Sequence, residues 1–159
     1  MKMEKSKKGP RGVRVKRRPN SVARGYVLDE QVGYLLRQAN QRHFAIFAEG
    51  ICEELTPTQF AALTKLHENG PLSQNHLGRL TAMDAATIKG VIDRLTQRRF
   101  TEVRADAKDG RLLIVDLSKK GRALVKMAIP LAARISTKTL SPLKSGERAT
   151  LLKLLRKLC

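Results

Sequence analysis

The chain has 159 residues, 42% of them hydrophobic and only 4% aromatic, with two cysteines, Cys52 and Cys159. This suits one domain with extensions, and it excludes a disulfide framework, a Cys-based metal site and any run near the ~18 apolar residues of a membrane span. A net charge of +18, from 32 Lys and Arg against 14 Asp and Glu, is far from the balance of an ordinary enzyme and implies a polyanionic partner.

Residues 1–24 hold ten Lys or Arg against Glu4 alone, which is half of the net charge. With Gly9-Pro10, Pro19 and few apolar residues, this stretch is expected to be a disordered basic tail. The remainder is basic without it, so the polyanion argument does not depend on the tail. The N-terminus lacks the apolar core of a secretory signal, and a reducing cytoplasm is the expected compartment.

In chain order, Leu28-Asp29 opens the first helical pattern with Asp29 as its cap. Val32, Leu35, Leu36, Ala39, Ile46 and Phe47 carry it to about Cys52. Thr56-Pro57-Thr58-Gln59 reads as a capping box with Pro at the first helical position. Phe60, Leu63 and Leu66 form that helix's stripe, and Asn69-Gly70-Pro71 ends it. Ser73 caps a short helix, and Asp84 starts the next, whose buried face is Ile88, Val91, Ile92 and Leu95. Two strands are expected near 100–105 and 111–117, joined by a loop containing Lys108-Asp109-Gly110-Arg111. Ser118 caps a long helix that Pro130 should kink, and Ser141-Pro142 begins a last, leucine-rich one.

Two short helices across a tight turn, then a hairpin, make a winged helix-turn-helix. Its second helix fits the major groove, where base edges are distinguishable. Ala85 and Ala86 would let its leading end approach closely, and Thr87, Lys89 and Arg94 would reach bases or phosphates. Ser73, Asn75, Asp84, Gly90 and Arg104 complete the candidate DNA-facing set on these elements. The expected fold is mainly α with a small β hairpin, the winged domain being flanked by N- and C-terminal dimerisation helices. Its divisions are the tail (1–24), the first helix (25–55), the winged domain (56–117) and the terminal helices (118–159). The flanking apolar faces exceed what a winged domain could cover, which points to a homodimer.

The segments LTPTQFAALTKL, GPLSQNHLGRLTAMDAATIKGVIDRL and DAKDGRLLIVDLSKKG carry a resemblance to the MarR (multiple antibiotic resistance regulator) family of bacterial transcription factors. The match in the wing rests on Asp109, Arg111, Leu117, Ser118 and Gly121. The resemblance implies a cytoplasmic homodimer without a cofactor, bound to a double-stranded, pseudo-palindromic operator as a repressor and released by a small ligand. It implies minor-groove insertion for Arg111, with Asp109 orienting the guanidinium and Lys108 neutralising a phosphate. The family pattern usually has Gly where this chain has Arg99. Either Arg99 carries a left-handed conformation at some cost, or the helix ends differently.

The first helix resembles those of regulators of aromatic-acid catabolism, implying an aromatic acid or its coenzyme A thioester as inducer. Arg37, Asn40, Gln41 and Phe44 lie within two turns and can line one cleft. Arg37 or Arg42 would hold the anion and Phe44 or Phe47 the ring, with His43 and His67 as further contacts. No metal site is expected, nor any Ser–His–Asp constellation or phosphate loop. A thiol-based redox sensor using Cys52 is one alternative, although Glu49, Glu53 and Glu54 beside it argue against a reactive thiolate. A non-specific basic nucleic-acid-binding protein is another, and the few aromatics disfavour base stacking on RNA.

Overall fold

The computed structural model describes residues 25–107, 109 and 112–159. The basic stretch 1–24 and the expected contacts Lys108 and Arg111 lie outside the described residues. After a 3-10 turn at Leu28–Glu30, the chain forms α1 (Val32–Gly50), α2 (Pro57–Asn69), β1 (Leu72–Ser73), α3 (Gln74–Leu80) and α4 (Ala85–Gln97). Then come β2 (Thr101–Ala105), β3 (Leu113–Leu117), α5 (Lys119–Thr139) and α6 (Ser145–Leu155).

Four helix starts follow from local side-chain chemistry. The Thr56 hydroxyl accepts from the Gln59 N–H at 3.2 Å, and the Gln59 side chain accepts from the Thr56 N–H at 3.0 Å. The Ser73, Asp84 and Ser118 side chains accept from the N–H groups of His76, Thr87 and Gly121. Each satisfies a backbone donor that a helix end leaves open.

Two starts differ from expectation. Asp29 lies within the 3-10 turn, and Gln31, with no side-chain cap, precedes α1. The last helix begins three residues beyond Pro142, where the Lys144 N–H donates to the Glu147 carboxylate at 2.6 Å. Leu140–Leu143 closes instead as a turn through the Leu143 N–H and the Leu140 carbonyl. The long helix continues through Pro130 to Thr139.

The sheet has three strands in the order β1-β3-β2, all neighbours antiparallel. Thr101 faces Leu117 and Ala105 faces Leu113 in the expected hairpin. Leu72 and Ser73 pair with Val115 and Ile114, a short third strand that tethers the start of α3 to the wing.

The main core lies beneath this sheet. Ile88, Val91, Ile92 and Leu95 of α4 are nearly inaccessible and pack with Leu63, Leu66, Leu77, Phe100, Val115 and Val125. Burial of each such side chain stabilises by about 1.5–3 kcal/mol, which fixes the rotation of α4 about its own axis. A smaller cluster of Ile46, Phe47 and Ile135 joins α1 to α5. By contrast, α6 has no buried residue, and Val32, Leu35, Leu36, Leu152, Leu154 and Leu158 are exposed.

Candidate nucleic-acid interface and effector groove

With Ile88, Val91, Ile92 and Leu95 turned inward, the opposite face of α4 is presented outward. Ala85, Ala86, Thr87, Lys89, Asp93 and Arg94 are exposed there, and Gly90 is half-buried. Asp84 anchors the leading end twice: one carboxylate oxygen accepts from the Thr87 N–H at 2.7 Å and the other from its hydroxyl at 2.9 Å. These bonds, the backbone one first, hold the Asp84 carboxyl below its ordinary range. The structure thus gives Asp84 a capping role, and commits the Thr87 hydroxyl proton to it. Lys89 Nζ lies 3.4 Å from the Asp93 carboxylate. A Cβ on Gly90 would stand 3.7 Å from the Arg94 guanidinium, an ordinary contact.

The trailing end of α4 is a tight reversal. The Phe100 N–H donates to the Leu95 carbonyl and the Arg99 N–H to that of Thr96, both at 2.9 Å. Arg99 sits at φ 61°, the left-handed position that this motif reserves for Gly. The expectation of a strained Arg99 therefore describes the structure. The HTH turn repeats the motif with Ala82 at φ 52°, closed by the Met83 N–H on the Gly78 carbonyl.

The reversal is bolted to α5. The Ser118 hydroxyl donates to the Arg99 carbonyl at 2.7 Å while accepting from the Gly121 N–H at 3.0 Å. The Ser118 N–H donates to the Phe100 carbonyl. Arg98 and Lys120 lie 4.8 and 4.5 Å from the centre of the Phe100 ring. Arg98 also donates to the Glu53 carbonyl, linking the end of α4 to the α1–α2 loop.

On the wing, Arg104 is exposed on β2, opposite Ile114. The Asp109 N–H donates to the Asp106 carboxylate at 3.0 Å, and the Asp109 carbonyl accepts from the Leu112 N–H at 2.9 Å. Ser73 caps α3, and with exposed Asn75 it lines a cleft of about 120 Å³ against Leu112 and Leu113 at the wing's stem. The helix-turn-helix and wing therefore share one surface.

The expected cleft residues divide. Arg37, Asn40 and His43 line a groove of about 660 Å³ whose other wall is Thr139 and Leu140 of the α5 end and Leu151 and Leu155 of α6. His43 Nδ1 lies 3.0 Å from the Thr139 hydroxyl. Arg37 has no hydrogen-bond or ionic partner among the described residues. Arg42 instead donates to the Lys138 and Thr139 carbonyls at 3.5 and 3.4 Å, capping the negative end of α5.

The other four do not line that groove. Phe47 is buried, its ring 5.9 Å from that of Phe60, so it belongs to the core. Gln41 and Phe44 are exposed on α1, and His67 is exposed in the last turn of α2. The groove's α5 and α6 wall was missed from sequence; the four-residue spacing of Leu151 and Leu155 was its available signal.

Comparison with known proteins places this geometry. The MarR family model matches residues 55–113, which span the winged core. The transcriptional repressor NicR of Pseudomonas putida is 45% identical over 134 residues, covering 84% of this chain and 85% of NicR. The chain belongs to the MarR family. A probable transcriptional regulator from Pseudomonas aeruginosa shares 53% identity with this MarR-family chain at a TM-score of 0.81, over 84% of this chain and all of that one. BpsR of Bordetella bronchiseptica, whose DNA binding is regulated by 6-hydroxynicotinic acid, is 42% identical at a TM-score of 0.79, over 84% and 96% of the two chains. The relatives are transcription regulators, and this MarR-family protein is a DNA-binding regulator rather than an enzyme. Among its described residues no helix is long and apolar enough to cross a membrane.

Proposed function

We propose that the protein is a homodimeric repressor that lays α4 of each subunit in a major groove of a palindromic operator, and that an aromatic acid releases it. The observation that carries the reading is the outward face of α4, with two small residues leading, Lys89 and Arg94 behind them and the wing alongside. Arg104 and Asp109, with Lys108 and Arg111 outside the described residues, are assigned to the flanking backbone and minor groove. The unburied α6 and the exposed leucines of α1 support pairing of two copies, because apolar faces of that kind mark interfaces.

For the effector, the groove offers a guanidinium, Arg37, that has no partner among the described residues, set among leucines with Asn40 and His43 as polar neighbours. That chemistry suits a small aromatic carboxylate: a bidentate Arg contact for the anion and apolar walls for the ring. A coenzyme A thioester would bring several phosphates, and among the described residues Arg37 is the one Lys or Arg lining the groove, so the free acid is favoured. The regulation of the BpsR relative by 6-hydroxynicotinic acid supports the same class.

The test is fluorescence anisotropy on duplexes from the DNA flanking the gene, titrated with 6-hydroxynicotinic acid and benzoate. Saturable binding to one palindrome, release by an acid, and loss of that response in Arg37→Gln with operator affinity kept are expected. Equal affinity for all duplexes would sink the repressor reading; an unaltered response in Arg37→Gln would sink the site.

A further inference from the structure

The outward line of α4 contains one residue that a polyanion-binding surface does not call for. At 100° per residue, the line directly opposite the buried face falls on Ala86, Gly90, Asp93 and Gln97, with Lys89 and Arg94 on its two flanks. The first two positions are small. The third is a carboxylate, in a chain with 32 basic residues against 14 acidic. Its side chain is 62% exposed, and its ionic partner is Lys89, itself 68% exposed. An exposed i,i+4 pair contributes only about 0.3–0.5 kcal/mol, so folding does not account for an acid here.

We propose that Asp93 is a specificity-determining residue that selects an amino-bearing base edge and penalises other sequences. This rests on the reading of α4 as the recognition helix. An ionised carboxylate only accepts hydrogen bonds. In the major groove the donors are the cytosine N4 and adenine N6 amino groups, whereas guanine O6 and thymine O4 are acceptors. On a matching step Asp93 accepts a hydrogen bond from the base amino group, and Lys89 is released from it toward a phosphate or a guanine. On a mismatched step the carboxylate faces acceptors or phosphates, a repulsive element of the kind that separates specific from promiscuous surfaces. Away from DNA the Lys89–Asp93 pair cancels one positive charge, lowering attraction to arbitrary sequence.

The experiment enriches preferred duplexes from a randomised pool with the wild-type protein, Asp93→Asn and Asp93→Ala. Affinities are then measured for the enriched duplex and for a shuffled duplex of the same composition. Both variants are expected to bind the shuffled duplex more tightly, to discriminate about tenfold less, and to lose preference at one C- or A-bearing position. Unchanged discrimination with the same enriched sequence would overturn the role of Asp93 and leave α4 as the reader. If the wild-type protein enriches nothing, the recognition-helix reading fails and the role of Asp93 with it.

Discussion

A Cβ on Gly121 would stand 1.9 Å from the carbonyl oxygen of Phe100. The neighbour is backbone, held by the Ser118 N–H, and cannot swing aside as a side chain would. Gly121→Ala must therefore push α5 away from the end of α4, at a cost of about 3 kcal/mol or more. Thermal unfolding should show a midpoint lower by about 10 °C, or no cooperative transition. A midpoint within about 2 °C of wild type would refute the close approach.

Arg99 closes the α4 reversal from the left-handed region, where a side chain costs roughly 1–2 kcal/mol. Arg99→Gly removes that strain but frees the unfolded chain, so the net gain should be about 0.5–1 kcal/mol. Denaturant melts would register it as a higher midpoint with an unchanged slope.

Gly90 is the converse case. It has room for a Cβ, so nothing within the described structure requires glycine in mid-helix. Gly90→Ala should stabilise the fold by about 0.5–1 kcal/mol while weakening operator binding, because in the proposed complex the added methyl would stand between α4 and the bases. Tighter or equal DNA binding would place the groove contact elsewhere.

Asp84 sets a pH dependence. Its folded-state carboxyl is held below the ordinary value of 3.8 by the Thr87 bonds. The cap's stabilisation is thus fully present above that value and fades as pH falls below 3.8 through the folded value. Asp84→Asn keeps an acceptor without a titrating proton. Its stability below pH 3.8 should fall less steeply than that of wild type. Parallel slopes would show that the cap does not titrate.

What was legible in the sequence was local. Thr56, Ser73, Asp84 and Ser118 each act on backbone within three residues, so their caps could be read without knowing the fold. Ser141-Pro142 resembles Thr56-Pro57 but yields a turn, and the helix begins instead where the Lys144 N–H donates to the Glu147 carboxylate. The third strand was not legible, since Leu72 and Ser73 become one only by meeting Val115 and Ile114 far along the chain. In the groove, Arg37, Asn40 and His43 share a face by helical spacing alone. Periodicity could not say that Phe47 turns to Phe60, or that Arg42 is occupied by the end of α5.

The shortest element has the widest mechanical effect. By pairing with β3, the two residues of β1 bind the foot of α3 to the stem of the wing, while Ser118 clamps the other end of the hairpin to α4 and α5. The parts assigned to DNA in the proposed function are thereby cross-braced into one unit. In the proposed dimer, an effector would have little purchase on the shape of either unit; what it could change is the span and angle between the two.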